Sequence, residues 1–121
     1  MKVKINIEGK YVPGYDKKYI VTENGEVYSA HKKGWLIPEK IYENKDYFRY
    51  NLCYKGKPKK WRLHRLVAFV YRNDELQELL QNYSMDELVV HHVDNNVLNN
   101  HYTNLKWMTK YQHDLLHAGK L

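Results

Sequence analysis

At 121 residues the chain is long enough for one compact domain, or two small modules sharing a core, and too short for two independent domains of ordinary size. Its single cysteine, Cys53, excludes an intramolecular disulfide framework and a cysteine-rich zinc site; it reads as a small, buried or half-buried strand residue in a reducing compartment. The net charge of +6 is uneven, with 17 Lys and Arg against 7 Asp and Glu over residues 1–72 and 3 against 7 over residues 73–121. A basic region beside an acidic, histidine-rich one suits a first part that holds a polyanion and a second that holds a cation, although ordinary surface variation gives similar totals. No apolar run approaches membrane-spanning length, and the start MKVKINIEGK lacks the hydrophobic stretch of a secretory signal. A soluble cytoplasmic protein with no membrane partner is expected.

Short antiparallel strands come first. YIVT and EVYS flank Glu23-Asn24-Gly25, and Asn-Gly between β-rich runs predicts a type I′ hairpin turn. A second hairpin pairs residues 47–54 with 60–65 across Lys55-Gly56-Lys57-Pro58-Lys59. Lys55, Lys57, Lys59, Lys60, Arg62 and Arg65 crowd this ribbon, which can lie along a phosphate backbone; a lysine-protected sheet edge would look similar. HRLVAFVYRN and ELQELLQNY then read as one or two short helices with Leu76, Leu79 and Leu80 at helical spacing. The chain thus divides into a basic, β-rich nucleic-acid-binding module over residues 1–72, an acidic helical spacer over 73–87, and a histidine-rich remainder over 88–121.

That remainder reads as strand (LVVHHV, 88–93), Asn-rich loop, strand (NLKWM, 104–108) and helix. Thr109 and Gln112 fit a capping box at the helix start, and Gly119 stands where a C-cap is expected. His113 and His117, four residues apart, share one helix face and can reach one metal ion. An isolated pair of this kind is more often a polar face; His91, on a strand that packs beside such a helix, strengthens the metal reading. Three imidazoles without a thiolate leave a fourth position open, the pattern of a catalytic site. Strand alternation points the adjacent His92 to the other side, where an imidazole can serve as a general base and take a proton from water.

His92, Asn104 and His113 spell the motif of the HNH nucleases, and the chain resembles the phage and intron-associated branch of that family. HRLVAFVY, VVHHVDNNVLNN and NLKWMTKYQHDLLHA follow its order, typically HRLVA, NHIDGNKLNN and NLEWVT. YVPGYDKKYIVTENGEVYS is similar to the nuclease-associated module that commonly precedes such cores. The resemblance implies an α+β fold: N-terminal antiparallel hairpins and short helices, then a ββα-metal (His-Me finger) HNH core. It implies an endonuclease acting on double-stranded DNA with one divalent metal ion (Zn, Mg, Mn or Ni), leaving 5′ phosphate and 3′ hydroxyl ends. His92 matches the general base, His91 and His113 the ligand positions, and Asn104 the residue that braces the loop and keeps the base oriented. Many members of the branch carry Asp or Asn before the base and Asn on the helix. Histidine at both positions, with His117, brings the set closer to the toxin nucleases of the superfamily and to transition metals.

Asp94, Asn95, Asn96, Asn99 and Asn100 read as loop-geometry residues, with Asn96 the candidate backbone brace. His101 and His31 read as exposed turn or loop residues, and His64 as a packing residue or phosphate contact at a helix start. A monomer or homodimer fits, since one site nicks one strand and concerted double-strand cleavage takes two. Two other readings suit the same residues: a non-catalytic nucleic-acid-binding module with a structural zinc, and a nuclease acting on RNA or branched DNA.

Overall fold

The computed structural model describes residues 7–41 and 44–119. Four short strands, β1 (Lys10–Tyr11), β2 (Tyr19–Val21), β3 (Val27–Ser29) and β4 (Gly34–Trp35), form an antiparallel sheet in sequential order. The turn between β2 and β3 differs from the expected type I′. Thr22 O accepts from Gly25 N at 3.0 Å, and Gly25 (φ +92°) takes the left-handed position while Asn24 does not. A type I turn followed by a left-handed glycine needs only one positive φ. A Cβ on Gly25 would also stand 2.5 Å from Leu63 Cδ1, so the Leu63 side chain would have to move to admit any other residue.

A second antiparallel sheet comprises β5 (Glu39–Ile41), β6 (Asn44–Tyr54) and β7 (Lys57–Arg62). Its hairpin is tighter than the five-residue turn expected from the sequence. Lys55 (φ +51°) and Gly56 (φ +75°) alone make the reversal, so Tyr54 pairs with Lys57 and Pro58 lies inside β7. Pro is tolerated because β7 is an edge strand, where a missing N–H costs no ladder bond. The strand ends at Arg62, and Leu63, His64 and Arg65 begin helix α1 (Leu63–Tyr71) instead of extending the ribbon. Cys53 is exposed on β6, not buried, because it shares with Pro58 the face turned away from Trp61.

Helix α1 is the centre of the protein. Leu66, Val67, Ala68 and Val70 are buried, and α2 (Asn73–Leu79) adds Leu76. These join Val12, Val21 and Val27 of the first sheet region, Leu52 and Trp61 of the second, and Leu88, Leu105 and Trp107 of the C-terminal hairpin in one hydrophobic cluster. The three stretches expected from composition therefore share a core. Trp107 is its largest fully buried side chain, with Nε1 donating to Ala68 O at 3.1 Å and its backbone N–H to the Glu75 carboxylate. Among the described residues no helix is long and apolar enough to cross a membrane.

The last elements are β8 (Leu88–His92), β9 (Leu105–Thr109) and α3 (Lys110–His117). Val90 and Leu88 alternate inward on β8, as Leu105 and Trp107 do on β9, which fixes the hairpin register. Thr109 and Gln112 form the expected reciprocal capping box, so α3 begins immediately where β9 ends. Gly119 (φ +71°) follows the helix as its left-handed C-cap residue.

Candidate metal and catalytic site

The β8–β9 register sets His91 opposite Lys106 and His92 opposite Leu105. Because α3 follows β9 without a linker, its i, i+4 pair comes back over the hairpin onto His91. The His91 ring lies 5.4 Å from that of His113 and 5.9 Å from that of His117. One ligand nitrogen from each of the three falls within 4.8 Å of the others, and His113 Nε2 and His117 Nε2 are 3.0 Å apart.

This donor set fits a small divalent cation. Tetrahedral Zn–N bonds of about 2.0–2.1 Å put ligand nitrogens about 3.4 Å apart, so two imidazoles are near that spacing and the third closes by a rotamer adjustment. His91 is buried, His113 half-buried and His117 exposed, leaving the site open on one side. Burial, then the proximity of the other imidazoles, pushes the pKa values of His91 and His113 down, favouring the neutral ligand form.

His92 faces a different set of partners, as strand alternation requires. Its Nε2 lies 2.9 Å from Asn100 Oδ1, and its ring stands 5.2 Å from that of His64, tilted by 34°. Burial, reinforced by His92, Arg62 and Arg65, pushes the His64 pKa down to about 3, so His64 is a neutral ring against the His92 side chain. The two sides of β8 meet at one cleft of about 880 Å³, lined by His91, His92, His113 and His117 together with Arg62 and His64.

The Asn-rich loop is tied down residue by residue. Val93 N donates to Asn104 O at 2.8 Å, and Asn104 Oδ1 accepts from Asp94 N at 3.0 Å. Asn104 Nδ2 donates to Asp94 Oδ1 and to Asn99 O, both at 2.9 Å. Asp94 Oδ1 caps Asn96 N at 2.8 Å and Asn96 Oδ1 caps Leu98 N at 3.0 Å, the Asx turns expected of these residues. Bonds from Asn99, the Asn96 backbone and Asn104 hold the Asp94 carboxyl below its ordinary pKa. Asn95 takes φ +61°, the left-handed conformation where the related pattern carries Gly. His101 is less exposed than expected: its Nδ1 meets Thr103 Oγ1 at 2.8 Å and its Nε2 the Glu23 carboxylate at 3.3 Å.

The six cations of the ribbon do not share one surface. Strand pairing puts Lys57 and Lys59 on the side of Trp61, with Lys59 Nζ 4.2 Å from the Trp61 ring centre, while Lys55 occupies the turn. Lys60 and Arg62 face the other way beside Arg49, which pairs with Arg62; the Glu39 carboxylate accepts from both Arg49 and Lys60. Arg65 departs furthest from the expectation. Its guanidinium donates to Leu88 O at 3.2 Å and Met85 O at 3.4 Å and stacks over Trp107, so it braces α1 against β8. Nothing in the sequence marks Arg49, because its membership of the basic face appears only once the register joins it to Arg62.

No family model matches the chain. Over 104 residues, 86% of this chain, it is 38% identical to DNA endonuclease I-HmuI of Bacillus phage SP01. It is 30% identical over 102 residues, 84% of this chain, to the uncharacterized HNH endonuclease L245 of Acanthamoeba polyphaga mimivirus. A solved structure, described as DNA binding and cleavage by the HNH homing endonuclease I-HmuI, superposes on 95% of this chain with a TM-score of 0.68 and 32% identity. Over most of its length the chain is thus similar to HNH endonucleases. It spans 53% of the length of the phage protein, 28% of the mimivirus protein and 61% of the solved chain. His92, Asn104 and His113, the residues matched to the motif in the sequence, lie on β8, at the entry to β9 and on α3.

Proposed function

We propose that this protein is a metal-dependent HNH endonuclease that hydrolyses phosphodiester bonds of double-stranded DNA, with His92 as general base. The observation that carries the reading is the division of two adjacent histidines: His91 joins His113 and His117, while His92 stands beside Asn100 and His64 in the same cleft. Similarity to a phage DNA endonuclease supports the substrate class.

His92 takes a proton from water; the resulting oxygen forms a bond to phosphorus, and the bond from phosphorus to the 3′ oxygen breaks. The products are a 5′ phosphate and, after protonation, a 3′ hydroxyl. His91, His113 and His117 would hold a divalent cation, which would supply Lewis-acid stabilisation of the charge that develops on the substrate. The all-imidazole set favours zinc or nickel over magnesium, whose preferred ligands are oxygens. Asn104 acts on the loop and not on substrate, keeping β8 and the loop after it in one geometry.

The duplex lies along the outer face of β5–β7, with Arg49, Lys60 and Arg62 against phosphates and Lys55 at the turn, while Lys57 and Lys59 lie on the opposite face of β7. The six residues of β7 extend about 20 Å, roughly six base-pair steps, and lead to Arg62 at the cleft. One chain suffices for a nick; a double-strand break takes two copies.

The test is nicking of supercoiled plasmid with Mg²⁺, Mn²⁺, Ni²⁺ and Zn²⁺ in turn, with His92→Ala as control. Metal-dependent nicking by the wild type and its loss in His92→Ala is the expected result. Wild type cutting no better than the control with every metal refutes the proposal and favours a structural zinc in a binding module.

A further inference from the structure

Asn100 stands apart from its neighbours in the Asn-rich loop. Asp94, Asn96 and Asn99 direct their side-chain oxygens at loop N–H groups, whereas Asn100 directs its oxygen at the His92 ring, 2.9 Å from Nε2. A neutral imidazole carries one N–H, and which nitrogen holds it is decided by the partner of the other. We infer that Asn100 is a positioning residue for the base: its amide oxygen holds the proton on Nε2 of His92, making Nδ1 the atom that takes the proton from water. This rests on His92 being the base, as proposed above.

The geometry gives this contact two effects. Before reaction, an acceptor at Nε2 selects one tautomer and stops the ring from turning about its outer bond, while the His64 ring limits movement on another side. During reaction the proton arriving at Nδ1 makes the ring an imidazolium, and the bond from Nε2–H to Asn100 Oδ1 gains a charged donor. It is therefore stronger in the transition state than in the ground state, the condition for contributing to rate and not merely to binding. The carbonyl must reach Nε2 from the loop, and the anchoring of Asn99 O by Asn104 Nδ2 fixes the backbone one residue earlier. Asn104 and Asn100 thus form one path, from the buried entrance of β9 to the ring.

The experiment compares full-length wild type, Asn100→Leu, Asn100→Asp and His92→Ala in single-turnover nicking of supercoiled plasmid with Mn²⁺, with nitrogen NMR of the ring of His92. Asn100→Leu is expected to slow nicking roughly 100-fold or more, within the range general base catalysis supplies, with the half-saturating protein concentration unchanged. Asn100→Asp, which keeps an acceptor oxygen, should recover the rate to within about tenfold. In the wild type Nε2 of His92 should be protonated and Nδ1 bare. Wild-type rate in Asn100→Leu, no recovery in Asn100→Asp, or a wild-type ring protonated at Nδ1 each overturns the inference while His92→Ala remains inactive. Nicking by His92→Ala at the wild-type rate defeats the base assignment itself, a different failure.

Discussion

Asn104 grips Asp94 at two points, accepting from its backbone N–H at 3.0 Å and donating to its carboxylate at 2.9 Å. Asn104 is buried and reaches the loop just after the base. Asn104→Ala should leave the Asp94 N–H and Asn99 O without their partner, costing about 1–3 kcal/mol of stability and slowing nicking with little change in DNA affinity. Denaturant unfolding beside single-turnover nicking checks both. Asn104→Asp should also slow nicking, since a carboxylate lacks the donor that Asp94 and Asn99 require.

Metal binding should stabilise the fold through α3. With Ni²⁺ or Zn²⁺ at a hundred times its dissociation constant, wild type should gain about 2.7 kcal/mol. His113→Ala and His117→Ala should show clearly smaller gains at the same free metal concentration, measured by thermal unfolding with calorimetric binding alongside.

Stability should fall on acidification through His64. Its folded pKa, about 3, lies below the ordinary 6.5, so the unfolded chain binds more protons between those values. Its contribution is fully present above about pH 6.5 and is lost as pH falls toward 3, with a slope of at most about 1.4 kcal/mol per pH unit for one proton. His64→Phe should flatten the stability profile in that window, read by urea unfolding at a series of pH values.

The basic face should control salt dependence. Replacing Lys60 and Arg62 with Gln should lower the slope of log affinity against log salt by about 0.9 for each phosphate that is no longer neutralised, measured on a duplex by fluorescence anisotropy. Arg65→Gln should act differently, reducing stability through the Leu88 and Met85 carbonyls with a smaller change in slope.

The C-terminal hairpin and helix are legible in the sequence because local rules suffice there. Alternation fixes β8 and β9, the capping box of Thr109 and Gln112 fixes the start of α3, and the i, i+4 pair falls on one face. The basic hairpin misleads because Gly56 and Pro58 both punctuate turns, yet an edge strand tolerates Pro58 and the turn needs only Lys55 and Gly56. Strands β1 and β4 have two residues each, too few for any period, and are held by neighbouring strands. The contacts of His92 with Asn100 and His64, and of Arg65 with Trp107, bring together residues that no local spacing links.

The division of work between His91 and His92 is tested most directly by measuring Ni²⁺ binding calorimetrically and plasmid nicking on His91→Ala and His92→Ala side by side. His92→Ala should bind metal like the wild type and fail to nick, while His91→Ala should bind metal more weakly and nick only when metal is raised. Abolished metal binding in His92→Ala, or undiminished binding in His91→Ala, would contradict that division.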